Sequence, residues 1–219
     1  MLLTIFFKTV MYLWYMLWAP IILAGLPSRK LSRRFVVACT NGILVWLRIF
    51  GIRYTVHGQF HPGAIVAAKH MSVFEIMILG KHCPYHFFFV VKRELFWIPV
   101  YGWALWRMGM IPVNRTKGST NMKVLADRVA AEIKKGGMFM IFPEGTRVRP
   151  GMGVRLKSGI LFIARTARVP IQPVGTDTGL YWPKRGRMRP GVANLWLEPV
   201  LPFDAELDEI ATAIARHSA

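Results

Sequence analysis

The sequence predicts an α/β fold: a mixed sheet flanked by helices, with an N-terminal membrane-associated helical segment. Three observations carry this. From residue 52 onward, short apolar runs alternate with helix-like segments, the pattern of a sheet with helices packed on it. The chain opens MLLTIFFKTVMYLWYMLWAPIILAGLPSRK, where Lys8 is the one charge before Arg29. Basic residues outnumber acidic ones by 29 to 11, a formal net charge of +18, on a chain that is 53% hydrophobic.

The charge calls for an anionic partner, either nucleic acid or anionic lipid. A nucleic-acid binder shows reading elements such as Cys/His fingers, an RNP-like aromatic pattern or a basic zipper. None is present in this sequence. The apolar opening points instead to an anionic membrane. Thr9 to Leu26 is long enough to span, since roughly 18 apolar residues cross a hydrocarbon core. A cleaved signal peptide is disfavoured, because the run is too long and no small-x-small site follows. Trp14, Tyr15, Trp18 and Pro20 suit an interfacial or re-entrant placement equally well.

Arg29, Lys30, Arg33 and Arg34 follow at once, and the positive-inside tendency puts them in the cytoplasm. The expectation is an inner-membrane protein whose main domain lies on the cytoplasmic face. RFVVACTNGILVWLRIFGI then reads as a second, interfacial helix with snorkelling arginines. Composition shifts near Gly51, dividing the chain into membrane-binding helices (1–51) and an α/β domain (52–219). Cys39 and Cys83 have neither metal nor redox spacing and read as small buried hydrophobes.

In the α/β part, RYTVHG and GAIVAAKH read as strands, the second apolar enough to be buried on both faces. SVFEIMILGKH reads as a helix, HFFFVVK as a strand, and STNMKVLADRVAAEIKKGG as an amphipathic helix closed by glycine. MFMIFPEGTR is a strand stopped at Pro143, KSGILFIARTARV a helix, and PIQPVGT and VANLWLEPV strands. FDAELDEIATAIARHSA closes the chain as a helix with acids in its first turn.

The first carboxylate in the chain is Glu75, five residues after His70 in AAKHMSVFEI. Two readings of it stand. Ser72-Val-Phe-Glu75 fits a capping box, in which the glutamate reaches back to the capping amide. Alternatively His70 sits at a strand end and folds over the first helical turn, giving its imidazole N–H to Glu75. The other ring nitrogen is then a base. On one continuous helix the two side chains would be about 140° apart and could not meet. An ion pair of Lys69 with Glu75 is a further competitor. In FPEGTR, residues 142–147, a strand ends in a turn that exposes an arginine and backbone amides. That is either a phosphate grip or an ordinary β-turn.

Together these segments resemble the glycerolipid acyltransferases of the 1-acylglycerol-3-phosphate acyltransferase type, also called PlsC-like. The resemblance rests on four ordered blocks across most of residues 55–180. They are the H-x4-E block from His70 to Glu75, then VKRELFWIPVYGWALWRMGMIPVNR with Lys92, Gly102 and Arg115. FPEGTR followed by Lys157 and Gly159 is the third, and VPIQPVG with Pro170 the fourth. Most of the family has aspartate where Glu75 stands and asparagine where Lys69 stands.

The resemblance implies His70 as general base and Glu75 as its orienting carboxylate. Lys92, Arg115, Glu144, Gly145, Thr146, Arg147 and Lys157 would bind substrate, and Pro170 belongs to a donor or acyl-chain block. It implies no metal and no cofactor. The acceptor is a lysophospholipid, with lysophosphatidate first. A lyso-ornithine lipid, another lysophospholipid or glycerol 3-phosphate would use the same chemistry. The donor is acyl-CoA or acyl carrier protein. A non-catalytic basic membrane scaffold would need neither His70 nor PEGTR. Chain-length choice is expected from bulky residues of the second block, such as Phe96, Trp97, Trp103 or Trp106, flooring an apolar tunnel.

Overall fold

The computed structural model describes residues 2–113 and 122–218. Two helices, α1 (Leu2–Gly25) and α2 (Arg29–Ile49), form an antiparallel hairpin closed by a three-residue turn. Ser28 caps α2, its hydroxyl accepting from the Leu31 amide at 3.4 Å. The stretch Thr4–Gly25 is long and apolar enough to cross a membrane, and its outer side, including Leu13, Met16 and Leu17, is exposed.

Among the described residues seven strands follow: β1 (Ile52–His57), β2 (Ile65–Ala68), β3 (His86–Lys92), β4 (Ile111–Val113), β5 (Gly137–Ile141), β6 (Ile171–Thr176) and β7 (Gly191–Leu197). They form one sheet in the order β1-β7-β6-β2-β5-β3-β4. Neighbours from β6 to β4 are parallel, β7 is antiparallel to β6, and β1 runs parallel to β7. The sheet is therefore mixed, as the sequence predicts. Its helices are α3 (Phe74–His82), α4 (Tyr101–Arg107), α5 (Met122–Lys134), α6 (Gly159–Ala167), α7 (Thr178–Tyr181) and α8 (Leu207–Ala215), with a 3-10 helix at Arg93–Trp97.

Every residue of β2 and β5 is buried, as expected of central parallel strands covered on both faces. The strand β4, absent from the sequence reading, is three residues long and contains Pro112. A proline that cannot donate to a ladder is tolerated at this sheet edge, where β3 is the single neighbour.

The helical hairpin is not an appendage to this core. Phe7 of α1 and Ile43, Leu44 and Leu47 of α2 belong to the same buried cluster as the sheet. Phe7 packs edge-on against Trp182 at 5.3 Å, and Trp14 donates to the Cys39 carbonyl at 3.0 Å. Ile22, near the other end of α1, meets Ala104 of α4. Cys39 and Cys83 are free and buried, and burial pushes both thiols up to about 11.

Candidate active site

The carboxyl ends of β2, β5 and β6 lie side by side in the middle of the sheet, where a parallel α/β sheet places its ligands. His70 leaves the end of β2 two residues before the Ser72 turn. Its Nδ1 lies 2.8 Å from Glu75 Oε1, and its ring stacks on Phe142 with centroids 4.2 Å apart. A carboxylate only accepts, so Nδ1 donates, and in the neutral tautomer that this bond selects, the lone pair lies on Nε2. The ring is 13% exposed, and Nε2 has no protein partner among the described residues.

Glu75, fully buried, is the most heavily bonded group in the site. Its Oε1 accepts from His70 Nδ1, from the Met71 amide at 2.9 Å and from the Ser72 amide at 2.8 Å. Oε2 accepts from the Ser72 amide at 2.9 Å and from the Thr178 hydroxyl at 2.7 Å. Capping and chemistry are thus served together by one carboxylate. The Ser72 hydroxyl accepts from the Phe74 amide at 3.1 Å rather than from Glu75, so one half of the capping box forms. A buried carboxylate is costly unless its lone pairs are used; here both oxygens are.

Block three is tied to the same histidine. The His70 amide donates to Glu144 Oε2 at 2.7 Å, and the Val148 amide donates to the His70 carbonyl at 2.8 Å. Glu144 is 5% exposed, and its Oε1 is buried without a hydrogen-bond partner among the described residues. Burial pushes its carboxyl up to about 7, against the pull of the His70 amide and of Lys69. Lys69 is buried too, and desolvation lowers its pKa while the Glu144 charge opposes that. The structure thus sets the charge of Lys69 against Glu144, whereas Glu75 pairs with His70.

Gly145 turns the loop at φ +72°, a left-handed conformation that favours glycine. A Cβ there would sit 3.0 Å from Lys157 Nζ, so the lysine lies over the turn. Thr146 and Arg147, with Arg149, Lys184 and Arg185, line a cleft of about 850 Å³ that no carboxylate lines among the described residues. A separate apolar cavity of about 260 Å³ lies between the hairpin and the sheet. Val73 and Met77 of the α3 segment, Met11 and Tyr15 of α1, and Leu105 and Met110 contribute to its wall.

His70, Glu75, Glu144, Gly145, Arg147 and Lys157 are therefore brought to one end of the sheet, together with Thr146. Lys92 also ends a strand there, but β5 separates β3 from β2, and it pairs with Glu94 at 3.4 Å. Pro170 precedes β6 at the opposite edge, where its carbonyl accepts from the Ile65 amide at 2.8 Å. Arg115 lies outside the described residues.

The tunnel expectation is corrected in part. Trp97, Trp103 and Trp106 are surface residues, at 76%, 52% and 72% exposure, and the cavity is walled by the opposite side of α4. Sequence reasoning missed Thr178, whose buried hydroxyl completes the Glu75 shell. Gly179 next to it allows α7 to approach; a Cβ there would lie 2.8 Å from Met71 Cβ.

The histidine–carboxylate pair, the basic cleft at Thr146–Arg149 and the apolar cavity at Val73 all involve the segments that follow β2 and β5. The acyltransferase family profile matches residues 53–177. This chain belongs to that family and is an acyltransferase. It is 33% identical over 192 residues to a 1-acyl-sn-glycerol-3-phosphate acyltransferase of Pseudomonas aeruginosa, covering 83% of this chain and 72% of that protein. To the enzyme so named from Cocos nucifera it is 30% identical over 176 residues, 78% of this chain and 56% of that one. The crystal structure of the 1-acyl-sn-glycerophosphate acyltransferase PlsC from Thermotoga maritima has the same fold. It superposes with a TM-score of 0.74 at 22% identity, over 98% of this chain and 92% of that chain.

Proposed function

We propose that this chain transfers a fatty acyl group from an acyl thioester to the sn-2 hydroxyl of lysophosphatidate, giving phosphatidate at a membrane surface. The observation that carries this reading is the His70 Nδ1 to Glu75 Oε1 bond of 2.8 Å, which leaves Nε2 as the acceptor of a proton. Nε2 takes the hydroxyl proton while the oxygen attacks the thioester carbonyl carbon. The tetrahedral intermediate collapses, the C–S bond breaks, and the thiolate leaves with the proton from His70. Glu75 holds the ring in one tautomer and offsets the imidazolium charge. A thioester is already activated, so the acceptor hydroxyl takes the place of an enzyme nucleophile.

Charge and polarity assign the substrate parts. The acceptor phosphate belongs in the cleft lined by Arg147 and Arg149, which starts one residue after the Gly145 turn that Lys157 overlies. The acyl chain belongs in the cavity that begins at Val73, three residues beyond His70. Glu144 anchors the His70 backbone, and Lys92, Arg115 and Pro170 are assigned to outer contacts of donor or acceptor.

The hairpin would lie along one leaflet rather than cross it. α1 touches the body from Thr4, whose hydroxyl accepts from the Met188 amide at 3.1 Å, to Ile22. That distance is about 27 Å along a helix. A crossing α1 would carry α4 and the edge of the sheet into hydrocarbon, where exposed loop backbone is not tolerated. The body would then sit on the cytoplasmic face beside Lys30 and Arg34.

The test is an acyl-transfer assay on purified protein, crossing lysophosphatidate, lysophospholipid, glycerol 3-phosphate and phosphate-free lyso-ornithine lipid acceptors with acyl-CoA and acyl carrier protein donors. The His70→Ala variant is the control. Transfer to lysophosphatidate that is lost in H70A supports the reading. Equal activity in H70A, or transfer to a phosphate-free acceptor alone, removes it.

A further inference from the structure

Between β3 and β4 the stretch WIPVYGWALW, residues 97–106, carries no charge. It folds into the end of the 3-10 helix, a tight turn and α4. Gly102, Ala104 and Leu105 face inward, while Trp97, Trp103 and Trp106 stand on the surface with Ile98 and Tyr101. Three exposed tryptophans within ten residues are far from the scatter expected of a soluble surface.

The patch is tied to the hairpin turn. Arg107 Nε donates to the Leu26 carbonyl at 2.7 Å, and its guanidinium also reaches the Pro27 carbonyl. Ala104 packs on Ile22 and Cys39, and Trp103 and Trp106 share a shallow groove with Leu26 at the hairpin turn. Val100, at φ 64° and ψ −57°, holds a backbone conformation unfavourable for a β-branched residue. Gly102 permits it, since a Cβ there would lie 2.1 Å from the Phe96 carbonyl oxygen. Leu17 and Leu23 of α1 are exposed as well, and Leu26, just beyond the end of α1, lines the groove with Trp103 and Trp106.

We propose that Trp97, Trp103 and Trp106 insert into the headgroup–acyl boundary of an anionic phospholipid bilayer, as a second membrane contact beside the hairpin. Indole suits that depth, with an apolar ring and one N–H that needs a polar partner. The charges near the patch also fit. Arg93, Lys30 and Arg34 are exposed cations, whereas Glu94 is paired with Lys92. The inference rests on the hairpin lying on the membrane. It makes α4 the partition between lipid and acyl cavity, because Tyr101, Leu105 and Met108 line the cavity while the tryptophans meet the bilayer.

Single cysteines at Leu17→Cys, Trp103→Cys and Asp208→Cys, with Cys39 and Cys83 changed to alanine, carry an environment-sensitive fluorophore. The labelled proteins bind vesicles of anionic phospholipid containing nitroxide-labelled chains. Quenching at positions 17 and 103 but not at 208 supports the proposal. Quenching at 17 alone overturns it and leaves the hairpin reading intact, whereas no quenching at 17 or 103 overturns both. The W97Q/W103Q/W106Q variant should float with the same vesicles roughly tenfold more weakly. Unchanged flotation overturns the proposal, and so does a fall from dimer to monomer mass in detergent, which would assign the patch to a second copy of the chain.

Discussion

Thr178, the first residue of α7, donates its hydroxyl at 2.7 Å to Oε2 of Glu75, a carboxylate 103 positions earlier in the chain. The bond joins the carboxyl end of β6 to the first turn of α3, and it holds one oxygen of Glu75 while the other holds His70. Thr178→Val removes that donor without changing volume much. We expect kcat about tenfold lower with KM for both substrates nearly unchanged, since orientation of the base is lost and binding is not. Thr178→Ser should restore kcat. Equal changes in KM, or failure of serine to rescue, would reduce Thr178 to a packing role.

Glu75→Gln places an amide NH2 among four donors: the His70 ring, the Met71 and Ser72 amides and the Thr178 hydroxyl. Activity should fall by about 10² or more, and stability should fall as well, because some buried donors lose their acceptor. Glu75→Asp keeps the charge but withdraws it by one methylene, so it should lie between wild type and E75Q. Steady-state kinetics together with thermal melts separate the two effects. Near-normal turnover in E75Q would leave Glu75 with capping alone.

Stability should depend on pH through two groups that act in opposite directions. The Glu144 carboxyl is raised to about 7 in the folded state by burial. Its contribution is full below about pH 4.5 and fades as pH rises through 7, amounting to about 3 kcal/mol at most. The His86 imidazole is lowered to about 4, by burial first and then by Arg33 and Arg29. Its contribution is full above about pH 6.5 and is lost as pH falls toward 4. Between these limits the slopes oppose each other. Glu144→Gln should leave a curve that climbs with pH, and His86→Asn one that descends. Melts from pH 4.5 to 8 check both signs.

Chain-length selection should follow the inner wall of α4 and not its tryptophans. Leu105→Trp or Met110→Trp fills the cavity and should shift the ratio of long-chain to short-chain transfer by about tenfold toward short chains. Trp106→Leu should leave that ratio unchanged. Competition between two acyl thioesters in one reaction measures it directly.

The residues of the site that were legible in the sequence are those that act close to home. His70 and Glu75 sit on one strand-to-helix turn, and FPEGTR is a contiguous loop after a buried strand. Their meeting depends only on β2 and β5 being neighbours. Thr178 was not legible, because a lone threonine has no local pattern and gains its partner only when β6 returns beside β2. The tryptophans of α4 misled for the opposite reason. Bulky apolar residues at helical spacing read as core, and a single sequence does not say which side of so short a helix meets protein. The strand β4 was hidden by its length and its proline.

Because the inner side of α1 completes the core around Phe7 and Trp182, the chain cannot be trimmed into a freely diffusing enzyme without opening a hole in its own interior. On the proposed reading, both lipid substrate and catalyst are then confined to a surface. The quantity that governs turnover is the mole fraction of acceptor in that surface. Diluting the acceptor with inert lipid should slow the reaction even when its bulk concentration is held constant.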